Sequence, residues 1–92
     1  MKNVMIFIME SCPYCKQTLR WLDKLLADNL KYKNIDIEII DESVYPEISA
    51  KYDYIYVPTF YVGGTKMHEG AAIPLKIKSI LDAALEEWNR NI

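Results

Sequence analysis

Two cysteines one helical turn apart, in Cys12-Pro13-Tyr14-Cys15, sit where an apolar run gives way to a helical one, and no other feature constrains the chain as much. The run before them, Val4-Met5-Ile6-Phe7-Ile8-Met9, is apolar without alternation, which predicts a strand buried on both faces. From Lys16 to Leu30 apolar side chains recur at helical spacing, and Pro13 falls just inside the helix start, where a missing N–H costs nothing. Cys12 is therefore predicted at the N-cap or in the first turn, where backbone N–H groups point outward unpaired. Those groups and the helix dipole favour a thiolate over a neutral thiol. Cys15, at i+3, lies on the same face and is placed to attack in turn, closing a disulfide with Cys12. The pair reads as a redox centre.

The remaining elements follow in order. The first helix carries its apolar face on Leu19, Leu22, Leu26 and Leu30, supported by Leu25, with Trp21 off the stripe and Asp28-Asn29 at its frayed end. Ile35-Asp36-Ile37-Glu38-Ile39, continued by Ile40, alternates as a second strand with one wetter face. Asp41 to Ser43 supplies helix-start chemistry, and Pro46 fits an early position of a short second helix bearing Ile48 and Tyr52. A tyrosine-rich connection, Lys51 to Tyr56, leads to a third strand, Val57-Pro58-Thr59-Phe60-Tyr61-Val62. Gly63-Gly64 signals a hairpin of the primed-turn kind, and Lys66 to Glu69 reads as a short antiparallel fourth strand ended by Gly70. Ile77, Ile80, Leu81, Ala84, Leu85 and Trp88 form the apolar stripe of a last helix, with Pro74 near its start. The order β-α-β-α-β-β-α predicts an α/β fold with a four-stranded mixed sheet flanked by helices.

A chain of 92 residues, 51% apolar and 26% charged, is expected to form one globular domain over residues 1–92. A net charge of −2 gives no reason to invoke nucleic acid or an anionic membrane surface. No apolar stretch approaches the roughly 20 residues that span a bilayer, and the N-terminal run falls short of the about 7–15 of a signal-peptide core. Two cysteines in one C-x-x-C leave no disulfide framework and point to a reducing, cytoplasmic setting. A structural zinc site wants four ligands, and His68 is the one other soft ligand, so no metal site is expected. A monomer is expected.

The chain resembles the thioredoxin superfamily, and Cys-Pro-Tyr-Cys is the dithiol sequence typical of glutaredoxins. The resemblance spans the strand before the motif, the element order, Val57-Pro58 before the third strand, and Gly70 after the fourth. It implies a thioredoxin fold and a thiol–disulfide oxidoreductase acting on protein disulfides or glutathione mixed disulfides. Cys12 would attack and Cys15 would resolve the mixed disulfide. Pro13, Tyr14, Val57, Pro58 and Gly70 are the expected substrate-binding positions. Pro58 would follow a cis peptide bond beside the reactive thiol, leaving the backbone of Val57 to pair with an extended substrate segment.

Glutaredoxins usually carry a Lys or Arg three residues before the first cysteine; here that position is Met9, followed by Glu10 and Ser11. Their second glycine and the acidic or hydroxyl pair that binds the γ-glutamyl end of glutathione have no counterpart in His68-Glu69-Gly70-Ala71-Ala72-Ile73. The run Phe60 to Ala71, with a charged fourth strand and a single glycine after it, is similar to thioredoxin. Lys16 and Lys51 are the cations left to meet a glycine carboxylate. No tightly bound cofactor is expected, and the electron donor is either glutathione or a flavoprotein of the thioredoxin reductase kind. Two other functions fit the same resemblance: a glutathione-dependent iron–sulfur cluster carrier, and a non-catalytic binding domain of thioredoxin fold. His68 and the tyrosines Tyr52, Tyr54 and Tyr56 are expected in structural roles.

Overall fold

The computed structural model describes residues 2–90, with side chains through Leu85. Strand β1 (Val4–Ile8) leads into helix α1 (Pro13–Asp28), a single 3-10 turn (Leu30–Tyr32) and strand β2 (Ile37–Asp41). A one-turn helix α2 (Pro46–Ser49) precedes the hairpin of β3 (Thr59–Val62) and β4 (Thr65–Glu69), and α3 (Pro74–Arg90) follows. The sheet order is β2-β1-β3-β4, parallel between β1 and β2 and antiparallel across the other two pairings. This is the mixed four-stranded sheet that the order of elements predicts, in the thioredoxin-like topology that the resemblance implies.

Alternation along the two central strands divides the interior into two cores. Val4, Ile6, Phe60 and Val62 face α1 and α3, where they meet Leu22, Ile77, Ile80, Leu81 and Ala84. Phe7 and Tyr61 face the other way, with Ile40, and are covered by Ile48, Tyr52, Tyr54 and Val57. Phe7 is wholly buried, its ring 4.9 Å from those of both Tyr52 and Tyr54. Tyr52 and Tyr54 thus pack on the sheet itself; Tyr52 lies beyond the end of α2, not on it. Trp21, off the predicted stripe, packs against the α1/α3 core.

Several local expectations change. Leu30 is not on α1 but opens the 3-10 turn, 77% exposed, because α1 stops at Asn29 in extended backbone. There the Asn29 N–H and side-chain amide both donate to the Leu25 carbonyl, closing the helix. The turn brings Tyr32 inward instead, and its hydroxyl donates to Asp82 Oδ1 of α3 at 2.5 Å. Ile39 leaves the predicted face half-exposed, while Ile40 is buried. Asp41–Ser43 does not start α2: Tyr45 precedes its first residue, Pro46, and Asp41 instead accepts from the Ser43 N–H in a tight turn. Gly63 and Gly64 have φ of +56° and +86°, the two positive values a type I′ turn requires. Trp88 lies outside the residues whose side chains are described.

Candidate active site

The ends of β1 and β2, the start of β3 and the end of β4 all lie at one edge of the sheet, as the pairs Ile8↔Asp41, Phe7↔Thr59 and Thr59↔Glu69 require. Every predicted site residue is on a segment at that edge. Cys12 is the N-cap of α1, with extended backbone (φ −84°, ψ 118°), and Pro13 is the first helical residue. Cys12 is partly exposed, Tyr14 is 61% exposed, and Cys15 is buried. Both cysteines are free thiols.

Their environments drive the two thiols apart. Partial burial pushes the Cys12 pKa up, but the Cys15 backbone N–H, the Cys15 thiol and the Tyr14 N–H outweigh it, leaving Cys12 below its ordinary 9.0. The two N–H groups belong to the first turn of α1, although neither closes a side-chain cap bond to Cys12. Cys15 is pushed up to about 12, first by burial, against the Met9 N–H, and further by Cys12 and the charge of Glu42. At neutral pH the exposed sulfur is the readier thiolate and the buried one keeps its proton.

The Val57–Pro58 peptide is cis and Pro58 is buried. Among the described residues, neither the N–H nor the C=O of Val57 has a hydrogen-bond partner. Gly70, with φ +96°, donates its N–H to the Pro58 carbonyl at 2.8 Å, which joins the end of β4 to this loop. His68 Nε2–H donates to the Ala71 carbonyl at 2.9 Å, a structural tie within the turn after β4. Met9, Glu10, Ser11, Lys16 and Ser43 line a shallow depression of about 420 Å³ next to Cys12. Glu10 is exposed, and its N–H donates to Asp41 Oδ2 at 3.2 Å, so Asp41 braces the loop leading to Cys12. Apolar side chains stand exposed on the surrounding segments: Tyr14, Val44, Tyr45, Ile55, Tyr56 and Ile73.

Sequence reasoning missed the carboxylates of this edge. Asp41 and Glu69 each hold backbone N–H groups of an active-site loop, and Glu42 accepts from the buried-side Tyr54 hydroxyl at 2.8 Å. Nothing in the spacing marks them. Among the described residues, no group of three or more His, Cys, Asp or Glu side chains is placed to hold a metal ion. No helix among them is long and apolar enough to cross a membrane.

A sheet edge that sets an N-cap cysteine beside a buried partner, in this topology, defines a thiol–disulfide oxidoreductase in the general sense. Residues 2–82 match the family described as Thioredoxin domain, and the chain belongs to that family. Its fold is similar to that of oxidised mitochondrial thioredoxin 3 from Saccharomyces cerevisiae, with a TM-score of 0.69 at 23% identity over 89% of this chain and 77% of that one. It is also similar to thioredoxin 1 from Thermosipho africanus TCF52B, with a TM-score of 0.68 at 23% identity, over 95% of this chain and 98% of the other. Oxidised thioredoxin from Plasmodium falciparum superposes with a TM-score of 0.70 at 19% identity, over 89% and 79% of the two chains. Comparison with curated proteins gives no match.

Proposed function

We propose that this protein reduces disulfides in other proteins, with Cys12 as the attacking thiolate and Cys15 as the resolving thiol. The observation that carries this reading is the opposite displacement of the two thiols, Cys12 downward and Cys15 upward to about 12. Cys12 Sγ attacks one sulfur of the substrate disulfide, forming a mixed disulfide and expelling the other sulfur as a thiolate. Cys15 then gives up its proton to that thiolate or to solvent, and its sulfur attacks Cys12 Sγ. The second substrate sulfur leaves, the Cys12–Cys15 disulfide closes, and two electrons have passed to the substrate. Val57, whose N–H and C=O have no partner among the described residues, offers two backbone bonds to an extended segment flanking the target cysteine. The exposed apolar side chains around the edge suit a polypeptide substrate better than a small, charged tripeptide.

The electron donor follows from the same groups. A glutathione glycine carboxylate would meet Met9 where a cation is usual, and its γ-glutamyl end would meet Ala71 and Ala72 where a polar pair is usual; Ala72 is buried in the core. These positions favour a flavoprotein reductase of the thioredoxin reductase kind over glutathione. The test compares wild-type turnover of a protein disulfide and of a glutathione mixed disulfide, each with a flavoprotein reductase or with glutathione as donor. Reduction of the protein disulfide by the flavoprotein route is the expected result. Turnover confined to the glutathione pair would overturn the donor assignment, and no turnover of either substrate would overturn the function.

A further inference from the structure

In an undisturbed strand, residues three apart lie on opposite faces, so Lys66 and Glu69 of β4 should point apart. They are instead ion-paired, with Lys66 Nζ 2.8 Å from Glu69 Oε1. The cause is a bulge. The register passes from Phe60↔His68 to Tyr61↔Lys66, which leaves Met67 as an extra residue and shifts the alternation by one. Directly paired residues share a face, so Glu69, opposite Thr59, and Lys66, opposite Tyr61, both stand on the side that carries the loop before Pro58.

There the Glu69 carboxylate does more than pair a lysine. Its Oε2 accepts the backbone N–H of Ile55 at 2.6 Å and of Tyr56 at 2.9 Å. Lys66 Nζ, held on Oε1, reaches the Asp53 carbonyl at 3.2 Å, and the Tyr61 hydroxyl donates to the same carbonyl at 2.6 Å. The Tyr56 carbonyl accepts from Thr59 Oγ1. Residues 53–56 have no helix or strand of their own, and these bonds fix them immediately before Val57.

We propose that Glu69 is a positioning residue for disulfide exchange: by gripping the adjacent N–H groups of Ile55 and Tyr56 it presents the backbone of Val57 to the substrate. The inference rests on the substrate-facing reading of Val57 given above. The groups that chiefly shift Cys12 and Cys15 belong to the motif, to Met9 and to Glu42, and Glu69 is not among them. Its loss should therefore weaken substrate capture and leave the attacking sulfur as it was.

The experiment measures KM and kcat with insulin as disulfide substrate and dithiothreitol as electron donor, together with the rate of Cys12 alkylation by iodoacetamide. Glu69→Ala and Glu69→Asp, which removes the carboxylate or draws it back by one methylene, should each raise KM about tenfold, the scale of a lost charge-assisted hydrogen bond. Their kcat and alkylation rates should stay within about twofold of wild type. Glu69→Gln keeps an oxygen able to accept both N–H groups and should restore most of the affinity, with KM about threefold above wild type. It also serves as the folded comparison if Glu69→Ala is unstable. Amide exchange at Ile55 and Tyr56 should quicken in Glu69→Ala and Glu69→Asp. Wild-type KM in those variants would overturn the positioning role while leaving the dithiol function intact. A wild-type protein unable to reduce insulin would overturn the function and this role together.

Discussion

Cys12 is the partly exposed N-cap of α1 and Cys15, three residues on, is buried in its first turn, where its backbone N–H and its thiol both draw the Cys12 pKa down. Three groups act on Cys12 in that direction: the backbone N–H and thiol of Cys15, and the N–H of Tyr14.

Removing one of them has a readable consequence. Cys15→Ala deletes the side-chain donor and keeps both N–H groups, so the Cys12 midpoint should rise. Cys15→Ser retains an O–H donor and should move it less. The pH profile of iodoacetamide alkylation reads both values. An unmoved midpoint in Cys15→Ala would assign the thiolate to the helix terminus alone.

Phe7 is the keystone of the smaller core, wholly buried between Tyr52, Tyr54 and Tyr61. Phe7→Ala should cost about 3–5 kcal/mol of stability, measured by urea unfolding. A loss under about 1 kcal/mol would mean that the tyrosines close over the gap.

Thr18 is fully buried on α1 one turn beyond Cys15, and among the described residues its hydroxyl has no partner. Thr18→Val keeps the shape and removes an unmatched polar group, so it should raise stability by about 1 kcal/mol. A destabilised variant would show that the hydroxyl is hydrogen-bonded in solution.

The clamp at Glu69 carries a pH signature. Lys66 first, then the N–H groups of Ile55 and Tyr56, hold this carboxyl at about 2, against an ordinary 4.5. A folded-state value below the unfolded one gives a contribution fully present above 4.5 and lost as pH falls toward about 2. Wild type should therefore exceed Glu69→Gln in stability near neutral pH, and the difference should fade across that acid window. A difference constant with pH would remove the carboxylate's charge from the account.

The dithiol, the central strand and the Gly63-Gly64 turn were legible in the sequence because each is fixed by local chemistry: an N-cap, an unbroken apolar run, a pair of positive φ angles. The bulge at Met67 was not, since it is set by pairing with β3 and leaves no mark in β4. With the bulge unread, strand alternation puts Lys66 and Glu69 on opposite faces, and nothing joins Glu69 to the loop before Val57. Asp41 looked like a helix cap for a similar reason: the same carboxylate chemistry serves a turn and the neighbouring Glu10 loop. Leu30 fitted the helical spacing, but the chain had already left the helix at Asn29.

The most direct test of the assigned roles is mass spectrometry of Cys15→Ser after brief exposure to a disulfide-bonded protein. The account predicts a stable mixed disulfide on Cys12, released by dithiothreitol, and no adduct in Cys12→Ser. A Cys15→Ser protein that forms no adduct while wild type turns over would contradict the assignment of Cys12 as the attacking sulfur.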